Sequence, residues 1–578
     1  MTLYGGIIME LQIVDHGLKL HTQIFIESLK ERIPTQITDK GMPIEFEIDS
    51  RMQEESYQIS FEKEKWKITG ADELGLFYGI GKFLHTAKWS EENLVPNPPT
   101  KVMIPECTYR CIYFSVHAYN WYHMAPLEEL EKYLKELLLW GYNTIHMCVP
   151  IFNTHHFEEE LFLKAVEKTR SIYKLAKNLG MKLSFGIVPN QAPLDAPHDF
   201  DAMPMEKPHP NTGRNICPSK SGAIECLKEV WANIFKGYKD IEMDYFMFWP
   251  YDEGGCACEE CKPWGANGYA KLCMTAYGEA KKLFPNAKFV VSTWLFDKPG
   301  DQGEFEGMYK KLQGEMDWVD YVMADAHSGY PEYPLEHDVI KPIINFPEIS
   351  MFKLFPWGGF GANPLLNHFQ EIWDHSKRIQ KGGQPYSEGL YEDISKIQFI
   401  GYYWEKNRHW KDTLSEYINY EYERQVCNEV LELMELIEKN HLIVSERKVP
   451  DYAASDRAAE LARNVDARLG ERAKKSWRWR ILYVRAILDK KRYNAFKGFG
   501  WKTREEVDDL RHFSADYLAN DEEAQDLLKE LRQIYHSVEY NGENCWTLPF
   551  VNGNTVYPPA KPVDNKNVKR STYYEREI

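Results

Sequence analysis

Asp252 and Glu253 are adjacent carboxylates that directly follow a strand-like apolar run at 244–249. Hydrolysis of a glycosidic bond needs one carboxyl group to protonate the departing oxygen and a second to handle the positive charge that develops at the sugar carbon. Neighbouring residues point to opposite sides of a continuing strand, so this pair can serve one site only if the chain turns. Gly254 and Gly255 permit that turn. The alternative interpretation is a solvated acidic turn or a helix N-terminus, where carboxylates are also favourable.

Cys256, Cys258 and Cys261 form a second chemical pattern just past the acidic pair. Three clustered thiols can bind a structural zinc ion together with one more Cys or His from elsewhere in the chain. Further thiols in neighbouring segments are Cys217, Cys226 and Cys273. The usual pair of Cys-x-x-Cys motifs is absent, so free thiols that brace a loop are the alternative. A zinc ion enclosed by thiolates leaves no position for water, so it would shape the rim of the site rather than catalyse.

The elements that position these residues follow from the periodicity of the chain between about 106 and 410. Short apolar strands alternate there with amphipathic helices, a pattern typical of βα units around a parallel sheet. The strand candidates are 111–115, 144–149, 182–188, 245–249, 289–293, 321–324, 350–355 and 383–386, and the helices include 127–139, 161–179, 223–235, 270–283 and 364–379. Eight such units over about 300 residues predict an α/β fold of the (β/α)8 TIM-barrel class, with the site at the carboxyl ends of the strands.

Two further parts flank the predicted barrel, which gives domains at 1–105, 106–410 and 411–578. The first part is predicted to be an α+β domain, because 57–62 and 66–69 alternate like paired strands and 74–84 has helical spacing. The last part is predicted to be helical, with candidates at 414–439, 453–469 and 522–538.

Polar and aromatic residues near the strand ends are candidates for the site, because that face of a barrel hosts the chemistry. They are Arg110, His117, Asn120, Asn190, Trp294, Asp325, Tyr330, Trp357 and Glu388. Carboxylates and aromatic faces with few aliphatic side chains are typical of a sugar subsite rather than of an apolar pocket. Several of these residues also have a structural alternative: an ion pair for Arg110, an ordinary polar contact for His117, and core packing for Trp294 and Trp357.

The order of these features resembles the family 20 glycoside hydrolases, the β-N-acetylhexosaminidases, over roughly residues 1 to 410. The shared features are a small α+β domain, a barrel, an Arg on strand one, an Asp-Glu pair after strand four, a Trp on strand five and a Glu on strand eight. The helical C-terminal part looks more like the appendages of family 67 α-glucuronidases or family 84 hexosaminidases.

The resemblance implies a role for each residue that matches the family pattern. The acetamido oxygen of the substrate would attack the anomeric carbon, with Asp252 orienting the acetamido group and Glu253 acting as general acid and then base. By the same resemblance, Arg110 and Glu388 would bind sugar hydroxyls, and Trp294 and Trp357 would wall the pocket. Tyr330 would donate a hydrogen bond to the acetamido oxygen.

Composition argues against several other classes of protein. A net charge of −17 and the absence of a long basic run argue against a nucleic-acid partner. No apolar run approaches the length of a membrane span and the N-terminus does not resemble a signal peptide, so we expect no membrane partner and a cytoplasmic location. The 11 unevenly scattered cysteines fit a reducing compartment. Aromatic residues make up 14% of the chain, enough to supply flat platforms for sugar rings.

We therefore expect a retaining exo-β-N-acetylhexosaminidase that acts on a carbohydrate substrate by substrate-assisted catalysis and requires no cofactor for that chemistry. One alternative is an inverting α-glucuronidase-like hydrolase, in which Lys353, His117 or Arg110 would meet the uronate. The other is a glycan-binding protein without catalytic activity. Whether the chain forms a homodimer is left open.

Overall fold

The computed structural model describes residues 9–90, 93–116, 122, 125–148, 151, 154–205, 214–251, 254–298, 301–326, 329–350, 362–387, 392–441, 451–497, 520–534, 550–551 and 554–555. Within these residues, no helix is long and apolar enough to cross a membrane.

A mixed five-stranded sheet forms the N-terminal part of the protein. Its strands are β1 (Met9–Val14), β2 (Thr35–Ile37), β3 (Met42–Ile48), β4 (Tyr57–Glu62) and β5 (Lys65–Gly70), in the order β2-β1-β3-β5-β4. The predicted pairing of β4 with β5 is confirmed and is antiparallel. Helices α1 (Lys19–Lys30) and α2 (Glu73–Thr86) belong to this part, and the short strands β6 (Lys88–Trp89) and β7 (Leu94–Val95) follow. Asp72 caps α2 by accepting a hydrogen bond from the amide of Gly75 at 2.8 Å.

Eight parallel strands close into a barrel, which confirms the predicted (β/α)8 fold. In chain order they are β8 (Tyr109–Phe114), β9 (Thr144–Cys148), β10 (Lys182–Ile187), β13 (Tyr245–Phe248), β14 (Lys288–Ser292), β15 (Val319–Asp325), β16 (Ile343–Phe346) and β18 (Gln380–Gly383). The remaining short strands are β11 (Gln191–Ala192), β12 (Arg214–Asn215), β17 (Glu348–Ser350), β19 (Tyr386–Ser387), β20 (Phe550–Val551) and β21 (Asn554–Thr555). The barrel closes because β8 pairs with β9 on one side and with β18 and β19 on the other.

Helices surround this barrel and then continue as a helical C-terminal part. The helices between and after the barrel strands are α3 (Leu127–Trp140), α4 (Glu160–Asn178), α5 (Ala223–Lys236), α6 (Ala270–Leu283), α7 (Glu304–Leu312), α8 (Tyr333–Glu336), α9 (Leu366–Ser376) and α10 (Asp393–Trp404). The later helices are α11 (Trp410–Glu421), α12 (Cys427–Glu438), α13 (Tyr452–Asp466), α14 (Glu471–Lys475), α15 (Trp477–Lys497) and α16 (Glu522–Ile534). α3 illustrates the pattern: Leu130, Leu134 and Leu137 give it a buried face, and Gly141 ends it in the left-handed conformation.

The seventh strand lies earlier than the predicted range 350–355. The structure places it at β16, where it pairs with β15 and β18. Of the predicted range, only Ser350 lies within the described residues, as the last residue of β17. Pro342 and Pro347 bracket β16, and proline is a strand breaker in a sequence pattern because it has no amide hydrogen. Here both prolines stand just outside the strand, so β16 pairs regularly with β15, while its register with β18 shifts between Ile343 and Asn345.

The single helix predicted at 414–439 is two helices, α11 and α12, joined by a short 3-10 turn at Arg424–Val426. Tyr422 leaves the helical conformation after α11. Its hydroxyl donates a hydrogen bond to the carbonyl of Arg478 at 3.2 Å, and its ring packs against Trp479. A tertiary contact therefore breaks a helix that local sequence would continue.

Arg110 is a structural residue at the amino end of the barrel, which corrects its predicted role in sugar binding. It is fully buried and its guanidinium donates hydrogen bonds to Glu55 Oε2 at 2.5 Å, to the Gly141 carbonyl at 2.8 Å and to the Cys107 carbonyl at 2.9 Å. Catalytic residues of such barrels lie at the opposite end of the strands. All three guanidinium nitrogens of Arg110 donate hydrogen bonds at the amino end of the barrel, far from the carboxyl ends of the strands.

Glu55 joins the N-terminal part to the first three barrel strands. Besides Arg110 on β8, its carboxylate accepts hydrogen bonds from Asn143, just before β9, at 2.9 Å and from Lys182 on β10 at 2.7 Å. Burial raises the pKa of Glu55, but the positive charges of Arg110 and Lys182 outweigh burial and lower it from 4.5 to about 2. The ionised form of Glu55 therefore stabilises the folded protein.

We expect Glu55→Gln to lower the free energy of unfolding near neutral pH by about 3–5 kcal/mol, because it leaves the buried charge of Arg110 unpaired. A carboxylate whose pKa is depressed by folding stabilises the fold above its unfolded pKa and loses that contribution as pH falls through the folded pKa. The difference between wild type and variant should therefore shrink between pH 4.5 and about 2. Denaturant unfolding monitored by circular dichroism measures it.

Glu54→Gln is the matched control, because the Glu54 side chain is 81% exposed and lies 3.8 Å from Lys182. We expect its effect to stay within about 0.5 kcal/mol. Equal destabilisation by both variants, or a difference that does not change with pH, would contradict the role of the Glu55 charge.

Candidate active site

The residues on both sides of the acidic pair are anchored. Asp252 and Glu253 themselves lie outside the described residues, but Tyr251 before them and Gly254 after them are buried. The Tyr251 hydroxyl donates a hydrogen bond to the Glu304 carboxylate, and Trp264 Nε1 donates one to the Pro250 carbonyl at 2.6 Å. The chain that enters the pair is therefore fixed directly after β13.

Asn190 anchors the chain that leaves the pair. Its side-chain amide donates hydrogen bonds to the carbonyls of Gly255 at 2.9 Å and Ile216 at 3.3 Å, and its Oδ1 accepts one from the amide of Gly255 at 3.2 Å. Asn190 is fully buried, three residues past β10. This corrects its predicted contact with sugar: both amide protons bind backbone carbonyls, and the residue positions the loop instead.

The two glycines after the pair are required for different reasons, Gly254 by close contacts and Gly255 by its backbone conformation. A Cβ atom at Gly254 would lie 2.7 Å from Val188 Cγ1 and 2.9 Å from Asn190 Oδ1, closer than real Cβ contacts. Gly255 has a φ of +119°, in the region that favours glycine. Gly254 is therefore packed tightly against the loop after β10, while the turn expected at Asp252 and Glu253 lies outside the described residues.

Glu304 is a buried carboxyl at this face that sequence reasoning missed. It accepts hydrogen bonds from the amide of Gly265 at 2.7 Å and the amide of Asp297 at 3.0 Å as well as from Tyr251. Burial raises the pKa of Glu304 to about 8, although its three donors act in the other direction. In the sequence it stands in the first turn of a helix, where a glutamate is ordinary, so nothing local marks it.

Aromatic rings from five strands meet at the carboxyl end of the barrel. Trp249, directly after β13, lies 5.3 Å from Trp294 and 4.9 Å from Phe346 between ring centroids. The row continues from Phe346 to Tyr386 at 5.1 Å and from Tyr386 to Tyr113 at 4.9 Å. Trp294 is buried and Trp249 only partly buried. Trp249 therefore presents aromatic surface three residues before Asp252, and Trp294 supports it.

Asp325 is the last residue of β15 and is buried. Burial raises its pKa, and Lys298 Nζ lies 3.7 Å from its carboxylate. Tyr330 is also buried, beside Gln380, the first residue of β18, and burial raises the pKa of its hydroxyl. The predicted bond from Tyr330 to an acetamido oxygen stays a prediction.

The C-terminal helix α15 reaches the loops after the last two barrel strands. Arg485 donates hydrogen bonds to the Ala362 carbonyl at 2.7 Å and to Asn363 Oδ1 at 2.9 Å. The amide of Asn363 donates in turn to Glu392 at 2.7 Å, and burial raises the pKa of Glu392 to about 8. The helical part therefore supports this end of the barrel as well as extending the chain.

Four thiols converge beside the anchored loop. The Sγ atoms of Cys217, Cys256, Cys258 and Cys261 all lie within 4.8 Å of one another. The structure thus brings the predicted triad together and adds Cys217 as the fourth member, which the sequence marked only as a thiol in a neighbouring segment.

Several predicted site residues lie outside the described residues, and their roles remain predictions. Besides the acidic pair, they are His117, Asn120, Trp357 and Glu388.

Comparison with known proteins shows a likeness of structure without a likeness of sequence. No family model and no curated protein matches the chain. A GH115 4-O-methyl-α-glucuronidase, BtGH115A, with specificity for decorated arabinogalactans, has a TM-score of 0.60 at 11% identity, covering 94% of this chain and 78% of its own. A GH138 enzyme targeting pectin rhamnogalacturonan II has a TM-score of 0.56 at 12% identity and covers 91% of this chain and 73% of its own.

A third similar structure is CpGH89 from Clostridium perfringens in complex with its substrate GlcNAc-α-1,4-galactose. Its TM-score is 0.58 at 12% identity, covering 90% of this chain and 65% of CpGH89, so this chain spans slightly less than two thirds of that protein. At these identities the likeness establishes a shared fold. The similar structures belong to several glycoside hydrolase families, so they do not single out family 20.

We expect Gly254→Ala to lower the free energy of unfolding by about 1–3 kcal/mol, because the added methyl group forces Val188 or Asn190 to move in a packed loop. Gly278→Ala is the matched control: it lies in α6 with nothing within 4 Å of a new Cβ atom. In that helix alanine is favoured by up to about 1 kcal/mol. Denaturant unfolding of both variants measures the difference, and a Gly254→Ala protein as stable as wild type would show that the loop is loosely packed.

Proposed function

We propose that this protein is a glycoside hydrolase whose catalytic carboxyl groups are Asp252 and Glu253. The observation that carries the proposal is the anchoring of both flanks of the pair at the carboxyl end of β13, beside the partly exposed ring of Trp249. An acidic pair held at the mouth of a barrel next to an aromatic surface suits a pyranose ring, which has one apolar face. The fold shared with enzymes of families GH115, GH138 and GH89 supports the same interpretation.

The finer proposal is a retaining exo-β-N-acetylhexosaminidase. Glu253 would give its proton to the departing oxygen while the acetamido oxygen of the substrate forms a bond to the anomeric carbon and the glycosidic bond breaks. Asp252 would orient the acetamido group and stabilise the positive charge on it. Glu253, now ionised, would then take a proton from water as that water attacks the anomeric carbon and the bond between this carbon and the acetamido oxygen breaks, which restores the starting configuration.

A general acid near neutral pH needs a raised pKa, and the surroundings of the pair favour one. Burial raises the pKa of Glu304, which binds Tyr251 directly before the pair, to about 8. Burial also raises the pKa of Asp325, at the carboxyl end of β15, two strands from β13. A carboxyl group in the same low-dielectric region, next to an ionised Asp252, is subject to the same desolvation and to like-charge repulsion.

An inverting α-glucuronidase-like hydrolase is the second candidate. Lys298, beside Asp325, supplies a positive charge at the carboxyl end of the barrel that a uronate carboxylate could approach. Against it, Arg110 is bound at the other end of the barrel and cannot meet the uronate. A retaining hexosaminidase therefore stays the first proposal, and substrate choice separates the two.

No disulfide joins the described cysteines, which supports our proposal of a reducing, cytoplasmic location.

The first test compares wild type and Glu253→Gln on aryl β-GlcNAc, β-GalNAc and α-glucuronide substrates. We expect turnover of an N-acetylhexosaminide, and a fall in kcat/KM of about 10²–10⁴ in Glu253→Gln, because the variant cannot transfer the proton. Glu259→Gln, an exposed glutamate of the following loop, is the control and should keep wild-type activity. Turnover of the glucuronide alone would select the second candidate, and binding of glycans without any turnover would overturn the proposal of an enzyme.

A second test separates the acid role of Glu253 from a structural one. Aryl glycosides whose leaving groups need no proton should lose far less activity in Glu253→Gln than those with poor leaving groups, because only the latter depend on general acid catalysis. The pH profile of kcat/KM should fall on its basic side in wild type as Glu253 ionises, and this limb should vanish in the variant. A uniform loss across leaving groups would show that Glu253 is not the acid.

A further inference from the structure

Four thiols beside the anchored loop have the distances of a tetrahedral metal site. Cys217 Sγ lies 3.7 Å from Cys258 Sγ and 3.8 Å from Cys261 Sγ, and all four Sγ atoms, including that of Cys256, lie within 4.8 Å of one another. Four sulfurs bound to zinc at about 2.3 Å in a tetrahedron stand about 3.8 Å apart. A disulfide instead joins two sulfurs at about 2.05 Å and does not require four thiols to converge on one point.

The four thiols are also enclosed. Cys217, Cys256 and Cys261 are buried and Cys258 is half-buried. The hydroxyl of Ser219 also contacts the cluster through a hydrogen bond with Cys261 Sγ at 3.3 Å. Thiols are weak hydrogen-bond partners, so packing four of them together gains little unless a shared ligand binds them. Thiolate ligands in this tetrahedral arrangement are typical of zinc.

The backbone holds the four cysteines in position. The amides of Cys261 and Lys262 both donate to the Cys258 carbonyl at 3.1 Å, forming a tight turn across Cys258-Glu-Glu-Cys261. The amide of Cys217 donates to the Phe200 carbonyl at 2.8 Å, which fixes the fourth thiol on a separate segment. Lys271 Nζ donates to the Pro218 carbonyl at 3.0 Å, which joins α6 to the segment that carries Cys217.

We propose that Cys217, Cys256, Cys258 and Cys261 bind one structural zinc ion that clamps the loop after β13 to the segment between β12 and α5. All four positions around the ion are filled by sulfur, so it has no open position for water or substrate. The clamp begins next to Gly255, whose backbone Asn190 already binds, and Asn190 also binds Ile216, the neighbour of Cys217. The metal and Asn190 thus connect the same two segments from adjacent points.

The consequence for the acidic pair rests on the proposed function. The clamp lies just past Glu253, so loss of the ion frees one flank of the pair. Misplacement of a catalytic group by about 1 Å can cost 10²-fold in rate. The zinc-free enzyme should therefore lose activity although zinc takes no part in the chemistry.

Metal analysis of the full-length protein, purified without chelators, tests the site independently of turnover. We expect one zinc per chain, and X-ray absorption at the zinc edge should show four sulfur neighbours at about 2.3 Å. Cys217→Ser and Cys258→Ser should each retain at least tenfold less zinc after dialysis against a chelator. Cys226→Ser is the matched control, because Cys226 is a half-buried thiol of α5 outside the cluster, and it should keep one zinc per chain.

If a variant fails to fold, the wild-type protein by itself still tests the proposal. Titration with a mercurial thiol reagent should release one zinc as four cysteines react. Absence of metal, the presence of iron in its place, nitrogen or oxygen neighbours, or full zinc retention by Cys217→Ser would each overturn the proposal. A zinc-loaded protein that hydrolyses no glycoside would refute the proposed function and leave the metal site standing.

Discussion

Closure of the barrel is the constraint on which the rest of the structure depends. Because β8 pairs with β9 on one side and with β18 and β19 on the other, the sheet has no free edge, and the carboxyl ends of all eight strands meet in one ring. Residues far apart in the chain, such as Tyr113, Trp249 and Tyr386, become neighbours there. The candidate site consists of loops that this ring brings together.

The two ends of the barrel are stabilised in different ways. At the amino end, one buried carboxylate, Glu55, binds Arg110 on β8, Asn143 just before β9 and Lys182 on β10, so charge joins the N-terminal part to the barrel. At the carboxyl end, Arg485 of α15 binds backbone and side chain in the loops after the last strands. A further buried ion pair, Arg478 with Asp393 at 2.6 Å, links the start of α15 to α10. The N-terminal and C-terminal parts thus stabilise the two ends of the barrel, and the loops after the strands form the candidate site.

Precision at the acidic pair comes from its neighbours. Tyr251 and Trp264 fix the chain before the pair, Asn190 fixes the chain after it, and the thiol cluster lies one residue further on. A loop held at both flanks can place two carboxyl groups with small positional error, which catalysis by proton transfer and charge stabilisation requires. The zinc clamp and the hydrolase are separate proposals, but they describe the same short loop.

The sequence by itself determined the βα alternation, most strand and helix positions, the glycines that follow Glu253 and the Cys-x-Cys-x-x-Cys triad, because periodicity and glycine placement report local conformation and burial. Tertiary structure decided which partners these residues meet. Arg110 pairs with Glu55, and the side-chain amide of Asn190 donates to the loop backbone. Glu304 is buried, and Cys217 joins the cluster as the fourth thiol. Tertiary structure also formed β16 between two prolines and ended α11 at Tyr422. These outcomes depend on contacts between residues tens of positions apart, and local patterns carry no information about such contacts.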